Sequence, residues 1–174
     1  MNISIDPRCI TDGQTFIPLH GIQHYDQEDI LGVAKQGGRV LDVDLVSYAK
    51  HYRQKLNCHV IVVMGQIGKT TLLTMLAQIM EPLFNVCQPV SKDGVYDPLL
   101  TLLSANFDTD IVLIEFNHQH CEHFTQWAKV VQPDVVIYTG MDAYSKSSLH
   151  KDTLSLYSKM FRKALKWQTA SRLV

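Results

Sequence analysis

The chain has 174 residues, 46% hydrophobic and 19% charged, with a formal net charge of −1. That balance excludes a disordered segment, and the near-zero charge supplies no global field to draw nucleic acid or an anionic membrane. The length allows one moderate domain, or a domain with a small appendage.

Residues 1–40 are rich in turn formers, among them Asp6-Pro7, Asp12-Gly13, Gly21 and Gly37-Gly38, with a short apolar stretch at Thr15–Leu19. They predict a small module of short strands with one helix over Asp29–Gln36. From Asp44 to Leu56, Leu45, Tyr48, Ala49 and Tyr52 recur at helical spacing, which predicts a connecting helix. Strand and helix signals then alternate. Strands are expected at His59–Met64, Phe84–Gln88, Ile111–Phe116 and Val135–Thr139, and helices at Thr70–Leu83, Tyr96–Ser104, His120–Val131 and Thr153–Lys166. Apolar β-branched runs separated by helices indicate an α/β fold, a parallel sheet with helices on both faces. The expected division is a small abridged α+β module over 1–43, the helix over 44–56 and a phosphate-loop domain over 57–174. In such sheets ligands sit beyond the carboxyl ends of the strands, where Gly65 and Glu115 fall.

The strongest chemical signal is the passage from the run Val60–Met64 into Gly65, Gln66, Ile67, Gly68, Lys69, Thr70 and Thr71. Glycines let backbone N–H groups approach phosphate oxygens, and a helix N-terminus adds positive partial charge. Lys69 contributes a mobile cation and Thr70 a hydroxyl suited to a Mg²⁺ shell. The common loop G-x-x-x-x-G-K-[ST] is not met, because Val63 stands where its first glycine belongs. The shorter G-x-x-G-K-T-T stands. Its plain alternative is a glycine turn bearing a surface lysine, but the strand before and helix after favour nucleotide binding.

Met64 to Thr71 resembles the loop T-G-[ST]-x-G-K-T-[ST] of the Mur ligases, ATP-dependent enzymes that add amino acids to the peptidoglycan precursor. The likeness is greatest to the branch that adds D-alanyl-D-alanine to the UDP-muramoyl-tripeptide. Asp6-Pro7-Arg8, Gly13, Phe16–Leu19 and Gly21 are similar to a segment near that branch's N-terminus, as are Asp26, Asp29, Ala34 and Gly37-Gly38. Thr101-Leu102-Leu103, Val112–Glu115 and Gln132–Ile137 match further stretches in order, so the resemblance covers roughly residues 3–145. It implies ATP and Mg²⁺ as cofactors, with Thr70 and Glu115 at the metal. Departures also stand out. Gln88–Gly94 replaces the family's asparagine-rich substrate loop, and Asn117 replaces a glycine. Thr139–Ser145 lacks the family's metal-site histidine, for which His150 is the nearest candidate, and Lys159 is a loose counterpart of its carbamylated lysine. The relatives continue into a third domain that closes over ATP and the incoming amino acid.

The resemblance therefore implies a truncated, degenerate form: a pseudoenzyme acting as a binding or scaffold subunit, with no catalytic residue of its own and another protein or complex as partner. Two alternatives stay open, an ATP-binding module that assists cell-wall precursor synthesis and an amide ligase or ATPase completed by a partner chain.

Other clusters have plainer readings. His118, His120, Cys121 and His123 invite zinc, but neighbouring residues on a turn and helix start do not converge as two separated ligand pairs do, so a polar loop is expected. The basic tail from Lys146 to Arg172 reads as a solvated helix face rather than a nucleic-acid site. Leu154, Tyr157, Phe161, Leu165 and Trp167 within it form an amphipathic stripe for the core or a partner. The four cysteines, Cys9, Cys58, Cys87 and Cys121, show no paired spacing and are expected reduced and mostly buried. With no leader-like start and no apolar run of roughly 18 residues, a cytoplasmic protein without a membrane span is expected.

Overall fold

Four parallel strands make the central sheet, in the order β5-β6-β4-β7: β4 (His59–Met64), β5 (Val86–Cys87), β6 (Ile111–Phe116) and β7 (Val135–Tyr138). This is a computed structural model, and it describes residues 3–19, 25–89, 94–117 and 123–140 together with 155, 158–160 and 162. A second parallel sheet, β1 (Ile3–Ser4), β2 (Thr15–Phe16) and β3 (Arg39–Val40), lies ahead of it in the chain.

Strand alternation assigns the two faces of the central sheet. Val60, Val62 and Met64 of β4, with Val112, Ile114 and Phe116 of β6, enter one buried cluster. There they meet α2 (Leu45–Lys55), α4 (Asp97–Ser104) and α5 (Phe124–Val131) through Leu45, Ala49, Leu99, Leu102, Leu103, Phe124 and Trp127. Ile61, Val63, Ile111 and Leu113 point the other way, against Leu73 and Ala77 of α3 (Lys69–Met80). Helices thus cover both faces, the α/β arrangement expected from the alternating runs. In the first sheet, Phe16 packs with Ile10 and Val33 beneath α1 (Gln27–Lys35), while Ile17 and Leu19 join the larger core.

Side chains close the helix starts. Asp26 and Asp29 form a capping box on α1, and the Asp44 carboxylate accepts from Ser47 N at 2.7 Å at the start of α2. Arg53 then ties α2 to the far end of α5. Its Nε donates to Val131 O at 2.9 Å, and its guanidinium lies 3.6 Å from Asp134, whose carboxylate accepts from Val60 N at 2.8 Å.

Several boundaries differ from expectation. The expected helix Thr70–Leu83 starts at Lys69 and ends at Met80, because Pro82 lacks the N–H a further turn needs. The expected strand Phe84–Gln88 shrinks to Val86–Cys87. Asn85 turns instead to the neighbouring loop, its N–H reaching Asp110 Oδ2 at 2.8 Å and its side chain Asp108 O at 3.0 Å. Cys9 is exposed on a 3-10 turn rather than buried, and Cys87 is only half-buried. Helix α5 begins at Phe124; residues 118–122 lie outside the described ones.

Candidate phosphate-binding site

The loop leaves the carboxyl end of β4 through two glycines with different reasons to be glycine. Gly65 has φ +138°, and a Cβ there would collide with Thr139 Oγ1 and lie 3.0 Å from Gly140 O. Gly68, at φ +78°, is the N-cap of α3, and a Cβ there would meet nothing within 4 Å. One site is closed from behind and the other opens forward.

No side chain caps α3. Its first intrahelical bond runs from Leu72 N to Gly68 O at 2.9 Å, so the N–H groups of Gly68, Lys69, Thr70 and Thr71 precede the helical ladder. Four donors and the positive helix end, equivalent to roughly half a unit charge, make a cradle for an anion. Gln66, Ile67, Gly68, Thr70 and Thr71 are exposed, so the cradle is open to solvent.

Parallel pairing of β4 with β6 sets Glu115 opposite Val63, one residue short of the loop. Alternation turns Glu115 to the face of Ile111 and Leu113, the face that α3 covers. Thr70 Oγ1 donates to Glu115 Oε2 at 2.9 Å, and Lys69 Nζ stands 3.9 Å from Glu115 Oε1 and 3.4 Å from Gln66 O. The Lys69 and Glu115 side chains are each only 12% exposed, so the pair interacts through little water.

A magnesium ion fits this donor set. Hydroxyl and carboxylate are hard oxygen ligands, and two cis oxygens about 2.0–2.1 Å from an octahedral Mg²⁺ lie about 2.9 Å apart. The Thr70–Glu115 separation of 2.9 Å matches that spacing.

The resemblance sets Thr139 and Gly140 in a segment lacking the family's histidine, and the sequence assigns them no role at the loop. Strand order places β7 beside β4, so the residues after Tyr138 arrive behind the loop. The Thr139 hydroxyl donates to Ile67 O at 2.5 Å, and Gln66 N donates to Gly140 O at 3.0 Å. Burial in the same region pushes the Tyr138 hydroxyl above its ordinary pKa.

His123 does not approach this site. It is the N-cap of α5, its ring 5.2 Å from that of Trp127, and it lines a separate cavity of about 360 Å³ with Tyr96, Leu19, Asp42 and Asp44. Two carboxylates in that lining oppose a triphosphate there. His118, His120, Cys121 and His150 lie outside the described residues, and no cluster of three or more His, Cys, Asp or Glu side chains that could hold a metal ion occurs among the described ones. Lys159 is exposed on a helical stretch. Of the tail, Leu154, Tyr157, Phe161, Leu165 and Trp167 are likewise outside, but Met160 is buried in the large core. No described helix is long and apolar enough to cross a membrane.

No protein-family profile matches the chain. It is 25% identical over 162 residues to the UDP-N-acetylmuramoyl-tripeptide–D-alanyl-D-alanine ligase of Escherichia coli K12. The chain is homologous to part of a Mur ligase. In fold it is similar to MurF from Acinetobacter baumannii, with a TM-score of 0.72 at 18% identity over 96% of this chain. It is equally similar to the MurF ligase from Thermotoga maritima, solved in complex with ADP, with a TM-score of 0.73 at 16% identity over 97% of this chain. The chain spans 35% of the E. coli enzyme and 41% and 43% of the two solved MurF chains. The Mur ligase likeness thus extends to the whole described fold and to part of each relative.

Proposed function

We propose that this Mur-ligase-like chain binds ATP with Mg²⁺ in the loop Gly65–Thr71. By itself it serves as a cytoplasmic binding or scaffold subunit for another protein, not as a self-sufficient ligase. One observation carries the reading: Lys69 and Thr70 meet on Glu115 in front of the uncapped start of α3. The backbone donors suit phosphate oxygens, Lys69 offsets their charge, and Thr70 with Glu115 would hold the metal. Bound there, Mg²⁺ would neutralise phosphate charge. The ADP complex of the T. maritima relative supports the choice of nucleotide.

Ligation asks for more than this cradle. Joining an amine to an ATP-activated carboxylate requires three reactants held in line, and positioning alone is worth about 7–11 kcal/mol of barrier. These 174 residues correspond to 41% and 43% of the two solved relatives, and the ligation of the whole enzymes is not carried over to them.

Thermal unfolding of the purified chain with ATP·Mg tests both halves. Ligand at 100 times its dissociation constant adds about 2.7 kcal/mol, a rise of several degrees. An unchanged melting temperature in millimolar ATP·Mg would remove the nucleotide assignment. Amide product from an amino acid, the muramoyl precursor and ATP, formed by this chain alone, would remove the scaffold assignment.

A further inference from the structure

We propose that Thr139 is a positioning residue of the phosphate loop, acting through its hydroxyl on the Ile67 carbonyl; this rests on the nucleotide reading above. A trans peptide carries its C=O and N–H in opposite directions. Holding Ile67 O against Thr139 Oγ1 at 2.5 Å therefore turns the Gly68 N–H the other way. Gly68 itself is exposed, and a Cβ on it would meet no atom within 4 Å, so no other protein group crowds this residue.

The neighbouring contacts complete the brace. The Thr139 hydroxyl has one proton and two carbonyls in reach, Ile67 O at 2.5 Å and Met64 O at 3.4 Å, and the shorter contact holds it. Gln66 N is bound back to Gly140 O at 3.0 Å, which removes it from the forward-facing set. Thr139 N donates to Met64 O at 2.9 Å, extending the β4–β7 ladder to the root of the loop. The absent Cβ at Gly65 is what allows Thr139 to come this close. A β-branched residue at 139 also keeps the hydroxyl in few rotamers.

The test compares Thr139→Val, which keeps shape and removes the donor, with Thr139→Ser, which keeps the donor. ATP·Mg affinity is measured by calorimetry, and backbone ¹⁵N order parameters of Gln66–Lys69 are measured without nucleotide. Thr139→Val is expected to bind about 10-fold more weakly, the scale of one hydrogen bond. Its loop order parameters should fall from about 0.85 towards 0.6. Thr139→Ser should stay within about 3-fold of the wild type, and both variants should melt near the wild-type temperature. Wild-type affinity and loop order in Thr139→Val would overturn the proposal, as would a Thr139→Ser variant as impaired as Thr139→Val. If the wild type binds no ATP·Mg, the nucleotide reading fails and the order parameters alone decide the brace.

Discussion

Glu115 touches both functional side chains of the loop, accepting from Thr70 at 2.9 Å and pairing with Lys69 at 3.9 Å. Its charge and its acceptor oxygens are separable by substitution. Glu115→Gln keeps an oxygen for the Thr70 hydroxyl but removes the charge that, on the proposed reading, would draw Mg²⁺. ATP·Mg affinity is expected to fall about 10-fold or more, while binding of ATP without metal holds or rises, since one anion has left the surroundings of the triphosphate. Calorimetry with and without Mg²⁺ reads both; an equal loss in the two conditions would make Glu115 structural only. At this scale the sequence pointed to the loop Gly65–Thr71 through its glycine, lysine and threonine types, and to Glu115 through its strand-end position and the Mur ligase resemblance. The structure brings Lys69, Thr70 and Glu115 together. The contact of Thr139 with Ile67 O was not legible, since the sequence marks the segment opened by Thr139 only by its missing histidine and leaves its neighbour in space unknown.

Among the elements, β4 and β6 were legible residue for residue because buried parallel strands read as unbroken apolar runs. Strand β5 was overestimated because the polar contacts of Asn85 to Asp108 and Asp110 depend on a turn 23 to 25 residues away. Arg53 is a tether between elements, joining α2, the end of α5 and the approach to β7. Arg53→Met would leave the carbonyls of Val131 and Gln132 without that donor and remove the guanidinium 3.6 Å from Asp134, which is 15% exposed. A loss of about 2–3 kcal/mol is expected. Asp44→Ala, which removes only the cap of α2, should cost about 1 kcal/mol. Urea denaturation ranks the two; an equal or larger cost for Asp44→Ala would deny Arg53 its clamping role.

At the scale of the molecule, one buried cluster runs from Ile17 and Leu19 through the central sheet to Met160, so several ionisable groups lie in apolar surroundings. Burial pushes the thiols of Cys58 and Cys87 above their ordinary 9.0, and the hydroxyls of Tyr52 and Tyr96 above 10.0. Each group is neutral at pH 7, and the folded state binds its proton more tightly than the unfolded state does. Their contribution is therefore complete below the unfolded values and is lost as pH climbs through the raised folded ones. The melting temperature should be level with respect to these groups between about pH 7 and 8 and decline above about pH 9. Scanning calorimetry across that range checks the sign; a midpoint that rises between about pH 9 and 10.5 would contradict burial of these groups.

By itself the sequence determined the α/β class, the glycine-lysine-threonine turn between β4 and α3 and the Mur ligase likeness, because hydrophobic period and residue chemistry are local properties of a chain. Tertiary structure decided the contacts around the loop. The order β5-β6-β4-β7 brings Glu115 and Thr139, 45 and 69 residues from Thr70, to its two sides. Strand order is set by packing both sheet faces at once, and no short stretch of sequence encodes that.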